Sequence, residues 1–280
     1  MIFNYKRGPI YITEILGKRE NNVLKYHKSD VIQSLELQLT NPGILIKKID
    51  KYSFEMNIPN YIINLKQDEE EIFRNVHKST RADIRKAINK DKVNYIEVER
   101  PTDEQIKEFT DLYNSFAREK NIAQCNVKKL AAIREHDCLI YTYITADNNQ
   151  ILCASMLFQD HSNRQLYGMY GVSNRSIQMT QKDKNFVSRA NKLLQWREIL
   201  LAKEKGLDWY NFGGEVSMDA QGVNDFKRRF GTISAYDRRI YTSNSFLGKF
   251  AILFLYEKWK KNLQTNRSRE NVLKPNRVVD

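Results

Sequence analysis

Read from Val93 onward, the hydrophobic period of this chain changes in an order that few folds accommodate. Val93 to Val98 alternates as a strand. Pro101 then precedes Thr102-Asp103-Glu104-Gln105. In that spacing a threonine hydroxyl and a glutamine amide reciprocally satisfy two free amides, so a helix begins there, with Ile106, Phe109, Tyr113 and Phe116 on one face. A shorter helix is expected around Val127, Leu130 and Ile133. Cys138 to Thr145, Ile151 to Phe158 and Gln165 to Val172 read as three strands. The turn formers Asp147-Asn148-Asn149 and Asp160-His161-Ser162-Asn163 separate them, which makes a meander. A long helix from about Asp183 to Lys205 stops at Gly206, a C-terminal cap signal. Asp208 to Phe212 is a strand ending in Gly213-Gly214. Val223 to Phe230 is a short helix stopped by Gly231, and Ser234 to Tyr241 is a last strand.

This order resembles the GNAT fold of N-acetyltransferases, which implies an α/β (α+β) chain with a mixed sheet and helices on both faces. It assigns residues 93–243 to a GNAT-like transferase domain. Ahead of it, Ile10-Tyr11-Ile12, Ile44-Leu45-Ile46, Tyr52 to Ile58 and Tyr61 to Leu65 are β-prone, with turns expected at Asn41-Pro42-Gly43 and Pro59-Asn60. Hydrophobic residues make up 41% of the 280 and aromatics 11%, enough for a sizeable core. A charged fraction of 29% excludes an integral membrane protein. Cys125, Cys138 and Cys153 are too far apart for a disulfide framework or a CxxC site, and the four histidines form no HExxH pair. No metal is expected. Met1 to Arg7 lacks the apolar run of a signal peptide, so the expected compartment is the cytoplasm.

The formal charge is +12, and it is local. Residues 74–92 and 258–280 each carry a net +5. The first segment reads as one helix opened by acidic Asp68 to Glu71, with Ile72, Val76, Thr80, Ile84 and Ile88 stepping by four along its buried side. Arg74, Lys78, Arg81 and Arg85 follow 4-3-4 spacing and stack on one stripe. That stripe is either a solvated face or an anion site.

Three motifs extend the resemblance to a family. Asn191-Lys192-Leu193-Leu194-Gln195-Trp196 lies on the long helix. Tyr210-Asn211-Phe212-Gly213-Gly214 ends the following strand, and Phe226-Lys227-Arg228-Arg229-Phe230-Gly231 follows. Together they resemble the "LLQW", "YDFGG" and "FKxxFG" elements of the FemAB-like aminoacyl/acyltransferases, which include the enzymes of peptidoglycan cross-bridges. Arg81-Ala82-Asp83-Ile84-Arg85-Lys86-Ala87 resembles their "RxxIRKA" element. The likeness covers about residues 70–241. It implies two GNAT-like halves, with residues 1–92 a shortened first half that includes the basic helix. Asn211 departs from the family's Asp. Residues 173–184 also lack the Gly-rich turn with which acetyl-CoA-dependent relatives cradle a pyrophosphate, although Ser173, Asn174 and Arg175 offer side-chain donors.

The implied reaction is N-acyl or aminoacyl transfer to an amine of a cell-wall or surface-polysaccharide precursor. Such transfer needs a neutral amine, a carbonyl held within reach and donors aimed at the developing oxyanion. The resemblance assigns oxyanion stabilisation to Lys227 of the Phe226-Lys227 pair; otherwise Lys227 is one of three solvated charges. Glu215 is the best-placed general base, and Gly213 and Gly214 allow close backbone approach to substrate. Tyr170 and Ser173 are expected to line the pocket, and Arg81 and Arg85 to contact phosphates of an anionic nucleotide- or lipid-linked acceptor, or of the donor. No cofactor is expected to be tightly bound. The acyl donor is left open between aminoacyl-tRNA, acyl-CoA and acyl carrier protein. Two alternatives stand beside this reading: an acyl-CoA- or acyl-carrier-dependent enzyme acting on an amino sugar or small amine, and a non-enzymatic nucleic-acid-binding module.

Residues 244–280 read as an amphipathic helix and a basic tail. Phe250, Ile252, Leu253, Phe254 and Leu255 are interleaved with Lys258, Lys260 and Lys261. The helix either docks on the core or makes a peripheral contact with an anionic membrane, at the inner face.

Overall fold

The computed structural model describes residues 1–17, 28–174, 179–214 and 221–273. Its strands are β1 (Ile2–Arg7), β2 (Ile10–Leu16), β3 (Val31–Gln38), β4 (Ile46–Asp50), β5 (Ser53–Asn64), β6 (Val93–Glu99), β7 (Leu139–Ala146), β8 (Ile151–Asp160), β9 (Gln165–Ser173), β10 (Trp209–Gly214) and β11 (Ile233–Ser243). Its helices are α1 (Glu69–Asn75), α2 (Lys78–Asn89), α3 (Asp103–Glu119), α4 (Val127–Arg134), α5 (Gln181–Glu204), α6 (Gln221–Arg228) and α7 (Phe246–Leu273). The strands form one mixed sheet in the order β1-β2-β3-β11-β5-β10-β9-β8-β7-β6, with β4 beside β5.

Helices cover both faces because successive strand residues point to opposite sides. Ile140 and Ile144 of β7 pack with α1, α2 and α5 around Ile84, Leu194 and Ile199. Leu139 and Tyr141 face the other way and pack with α3, α4 and α7 around Phe109, Leu130 and Ile252. The elements of 93–243 follow local chemistry. At the start of α3 the Thr102 hydroxyl accepts from the Gln105 amide at 3.3 Å and the Gln105 side chain accepts from the Thr102 amide at 2.9 Å. Gly206 ends α5 with a positive φ of 66°.

The N-terminal region differs from the sequence reading in three places. Pro59-Asn60 is not a turn: β5 runs straight through it. Pro59 falls between the last β4 pair at Met56 and the last β10 pair at Asn60, so the missing amide sits where β5 changes neighbours. The 44–46 run is mostly outside the sheet, since β4 starts at Ile46 and Ile44 is exposed. The basic helix is two helices, α1 and α2. At the break the His77 amide donates to the Arg229 carbonyl at 2.8 Å. Gly231 packs so closely there that a Cβ would lie 2.7 Å from the Asn75 oxygen. The break turns α2, so Thr80, Ile84 and Ala87 are buried and Ile88 is exposed.

Residues 1–92, read as a shortened first half, share the sheet of residues 93–243, because β11 lies between β3 and β5. α7 packs on the core. The Asn244 amide donates to the Asp30 carbonyl at 2.8 Å and the Ser245 hydroxyl to the Asp30 carboxylate at 2.5 Å. A Cβ at Gly248 would collide with the Asp30 carbonyl. Residues 274–280 of the expected basic tail lie outside the described residues. Among the described residues no helix is long and apolar enough to cross a membrane.

Candidate active site

β9 and β10 run parallel but pair only through Gln165–Tyr167 and Trp209–Asn211. Beyond that point the strands part, and a cavity of about 680 Å³ opens between them. Residues 167–173 of β9 form one wall. Tyr113 and Phe116 of α3 reach it from one face of the sheet, and Asn191, Gln195 and Glu198 of α5 with Phe226 and Lys227 of α6 from the other. The cavity therefore passes between the strands.

The parting is built at Gly213. Its φ is +78°, and a Cβ would lie 3.0 Å from the Gly168 carbonyl oxygen, so a side chain is disfavoured on both counts. Asn211 holds the turn. Its side-chain oxygen accepts from the Gly213 amide at 2.8 Å, and its side-chain amide donates to the Gln165 oxygen, also at 2.8 Å. An asparagine fits this fully buried position because the oxygen of Gln165 needs a donor that an ionised aspartate lacks.

α6 then carries Lys227 back to the strand end. Its ammonium donates to the carbonyls of Gly213 at 3.2 Å and Gly214 at 2.7 Å, and the residue is only 8% exposed. Carbonyl acceptors orient an ammonium. Phe226 stands beside it with its ring 5.3 Å from that of Phe230. Across the cavity, the Tyr170 hydroxyl accepts from the Asn126 amide at 3.2 Å, and burial pushes its pKa up. Ser173 lies at the far end of the same wall. Lys227, Phe226, Gly213, Gly214, Tyr170 and Ser173 thus converge on one space.

Arg81 and Arg85 do not line it. The Arg81 guanidinium donates to the Arg74 carbonyl at 2.6 Å, and that of Arg85 lies 5.1 Å from the Phe73 ring centre. α2 is strapped to α5 by Lys192–Asp83 at 2.5 Å and by Arg189, which grips both Asp91 oxygens at 2.6 and 2.9 Å. Glu215 and Arg175 lie outside the described residues.

The structure adds a group that the sequence reading missed. Glu198 is fully buried against the cavity. Its carboxylate accepts from Tyr210 at 2.6 Å, Thr142 at 2.7 Å and Gln195 at 3.0 Å. Desolvation raises its pKa, although these donors and Ser155 pull it down. Burial, together with the negative charge of Glu198, drives the Tyr210 hydroxyl well above its usual value. The signal in the sequence was an acid at i+4 from Leu194 and i−4 from Ala202, on an otherwise apolar stripe. At the first turn of α5, Thr180 and Asp183 bond to each other. The Thr180 hydroxyl accepts from the Asp183 amide at 3.2 Å and donates to the Asp183 carboxylate at 2.6 Å. Among the described residues no cluster of His, Cys, Asp and Glu is placed to hold a metal ion.

No family model matches the sequence. A comparison with curated proteins finds no match either. Solved structures are similar in fold. FemX superposes with a TM-score of 0.56 at 12% identity, over 84% of this chain and 83% of that one. L-PGS from Bacillus licheniformis superposes with a TM-score of 0.51 at 12% identity, over 91% and 84%. At these identities the likeness concerns the fold alone, and a fold shared with FemX is what the FemAB-like motifs imply.

Proposed function

We propose that this chain is an N-acyl or aminoacyl transferase that forms an amide on an amine of an anionic, nucleotide- or lipid-linked cell-wall or surface-polysaccharide precursor. The observation that carries the reading is the Lys227 ammonium, held by two backbone carbonyls at the point where β9 and β10 part. The amine enters neutral and attacks the donor's carbonyl carbon. A C–N bond forms, and the carbonyl electrons move onto oxygen. That oxygen carries charge only in the tetrahedral state, so a cation beside it lowers the barrier more than it tightens ground-state binding. When the oxyanion collapses, the C–O or C–S bond to the carrier breaks, and the ammonium proton passes to the leaving group or solvent.

The walls divide the work. Aromatic Tyr113, Phe116, Phe212 and Phe226 exclude water, and the unpaired edge of β9 offers backbone groups to an extended substrate. The lack of a Gly-rich turn in residues 173–184 is the reason for placing aminoacyl-tRNA ahead of acyl-CoA as donor. The cations of α2 lie outside the cavity, so this reading gives them the anionic carrier and not the reacting carbonyl.

The test supplies purified protein with a cell-extract acceptor fraction and, in separate arms, aminoacyl-tRNA, acyl-CoA and acyl carrier protein. Mass spectrometry reads the acceptor. A mass increment of one aminoacyl group from the tRNA arm is expected. An increment from acyl-CoA alone would replace the donor, and no amide in any arm would remove the enzyme reading.

A further inference from the structure

α7 is apolar on two sides. Its inner side, with Ile252 buried and Ala251, Leu255, Tyr256 and Trp259 against the core, accounts for its docking. Its outer side has no such explanation. Phe246, Phe250 and Phe254 repeat every four residues and are 75%, 58% and 71% exposed, with Leu247 and Leu253 exposed beside them. A helix on a water-facing surface normally turns its polar side outward. Contiguous exposed aromatics mark an interaction surface.

Cations border this stripe from two elements. Lys249, Lys258 and Lys260 are exposed along the helix, and Glu257 is the acid interrupting the outer face. The β4–β5 hairpin adds more. Lys48 sits over the Tyr256 ring at 5.6 Å, and Lys249 and Lys51 both reach the Tyr52 ring, at 5.1 and 5.3 Å. Those contacts hold hairpin lysines beside the helix. An apolar aromatic stripe edged by lysines matches a bilayer interface, where rings enter the acyl boundary and ammonium groups meet anionic headgroups. A second copy fits poorly, because pairing the stripe with itself would press the two lysine borders together.

We propose that the outer face of α7, with the lysines of the β4–β5 hairpin, docks this protein on an anionic lipid bilayer. The proposal goes beyond acyl transfer and does not depend on it, since docking is read without turnover.

The experiment uses the full chain, with vesicles of phosphatidylcholine alone and of phosphatidylcholine containing phosphatidylglycerol, at low and physiological salt. Cosedimentation with the anionic vesicles alone is expected. Phe250→Ser with Phe254→Ser should lower partitioning at least ~10-fold. Lys48→Gln, Lys51→Gln and Lys249→Gln should each lower it roughly fivefold at low salt and together flatten its salt dependence. The changed side chains are exposed, so every variant should melt at the wild-type temperature. Wild-type protein that ignores anionic vesicles overturns the proposal, as does a phenylalanine pair that binds like wild type. A fall in melting temperature in the phenylalanine variant returns the stripe to the core. Self-association in sedimentation velocity, lost in that variant and without vesicle binding, assigns the face to a second copy.

Discussion

Lys227 and the arginines of α2 belong to basic motifs of similar look, on helices that pack against the same face of the sheet, yet only Lys227 enters the cavity. The difference lies in what surrounds each charge. Lys227 is buried between backbone carbonyls at a strand end, where a fixed charge acts more strongly on a neighbouring group than it does at the surface. Arg85 is exposed over Phe73, and Arg81 is spent on the Arg74 carbonyl at the α1–α2 junction. Charge at that surface is screened within about 10 Å by salt. Density of charge along a chain therefore points to where an anion could be attracted. Burial of a charge points to where chemistry could be done. Glu198 obeys the same rule with the opposite sign.

The largest effect is expected at Lys227. Lys227→Met should keep the fold and lower transfer by ~10²–10³-fold in kcat, the scale of losing one oxyanion donor. Wild-type turnover in a folded variant would leave the buried cation with no catalytic part.

Glu198 tests the same rule through pH. Its folded-state pKa is raised above the ordinary 4.5 by burial, so the folded chain holds that proton to higher pH than the unfolded chain. The unfolded state binds fewer protons in that window, and stability falls as pH rises from 4.5 through the raised value. Glu198→Gln removes the titration. The melting-temperature difference, variant minus wild type, should therefore grow as pH rises through that window and level off above it. A difference independent of pH would mean that Glu198 titrates normally.

The smallest effect is expected outside the cavity. Arg81→Ala with Arg85→Ala should change stability by less than about 1 kcal/mol and leave kcat near wild type. Its effect should be a higher KM for an anionic substrate at low salt, with a flatter salt dependence. An unchanged KM at low ionic strength makes the stripe a solvated face. A kcat loss as large as that of Lys227→Met would erase the distinction between the two sets.

Much of this fold was legible because its signals are local. The capping box at Thr102, the stop at Gly206 and the meander turns each rest on chemistry within a few residues. The convergence of Gly213, Gly214 and Lys227 spans up to 14 positions, from the end of β10 to α6. The N-terminal third was less legible. β3, with Val31 to Leu35 buried on both faces between β2 and β11, lacks the alternation of a half-exposed strand. Pro59 reads as a breaker until its neighbours are known.

By itself the sequence determined the order of elements in 93–243, the sharp turns at Gly206, Gly213 and Gly231, and the amphipathic period of the helices. Each depends on backbone sterics or on a side chain meeting its own segment. Tertiary structure alone decided that β11 pairs between β3 and β5, that the basic helix breaks where His77 meets Arg229, and that Glu198 sits under Tyr210. It also decided which side of α7 faces outward. These outcomes depend on contacts between residues up to some two hundred positions apart. Periodicity says that a face is apolar, but only packing says what covers it.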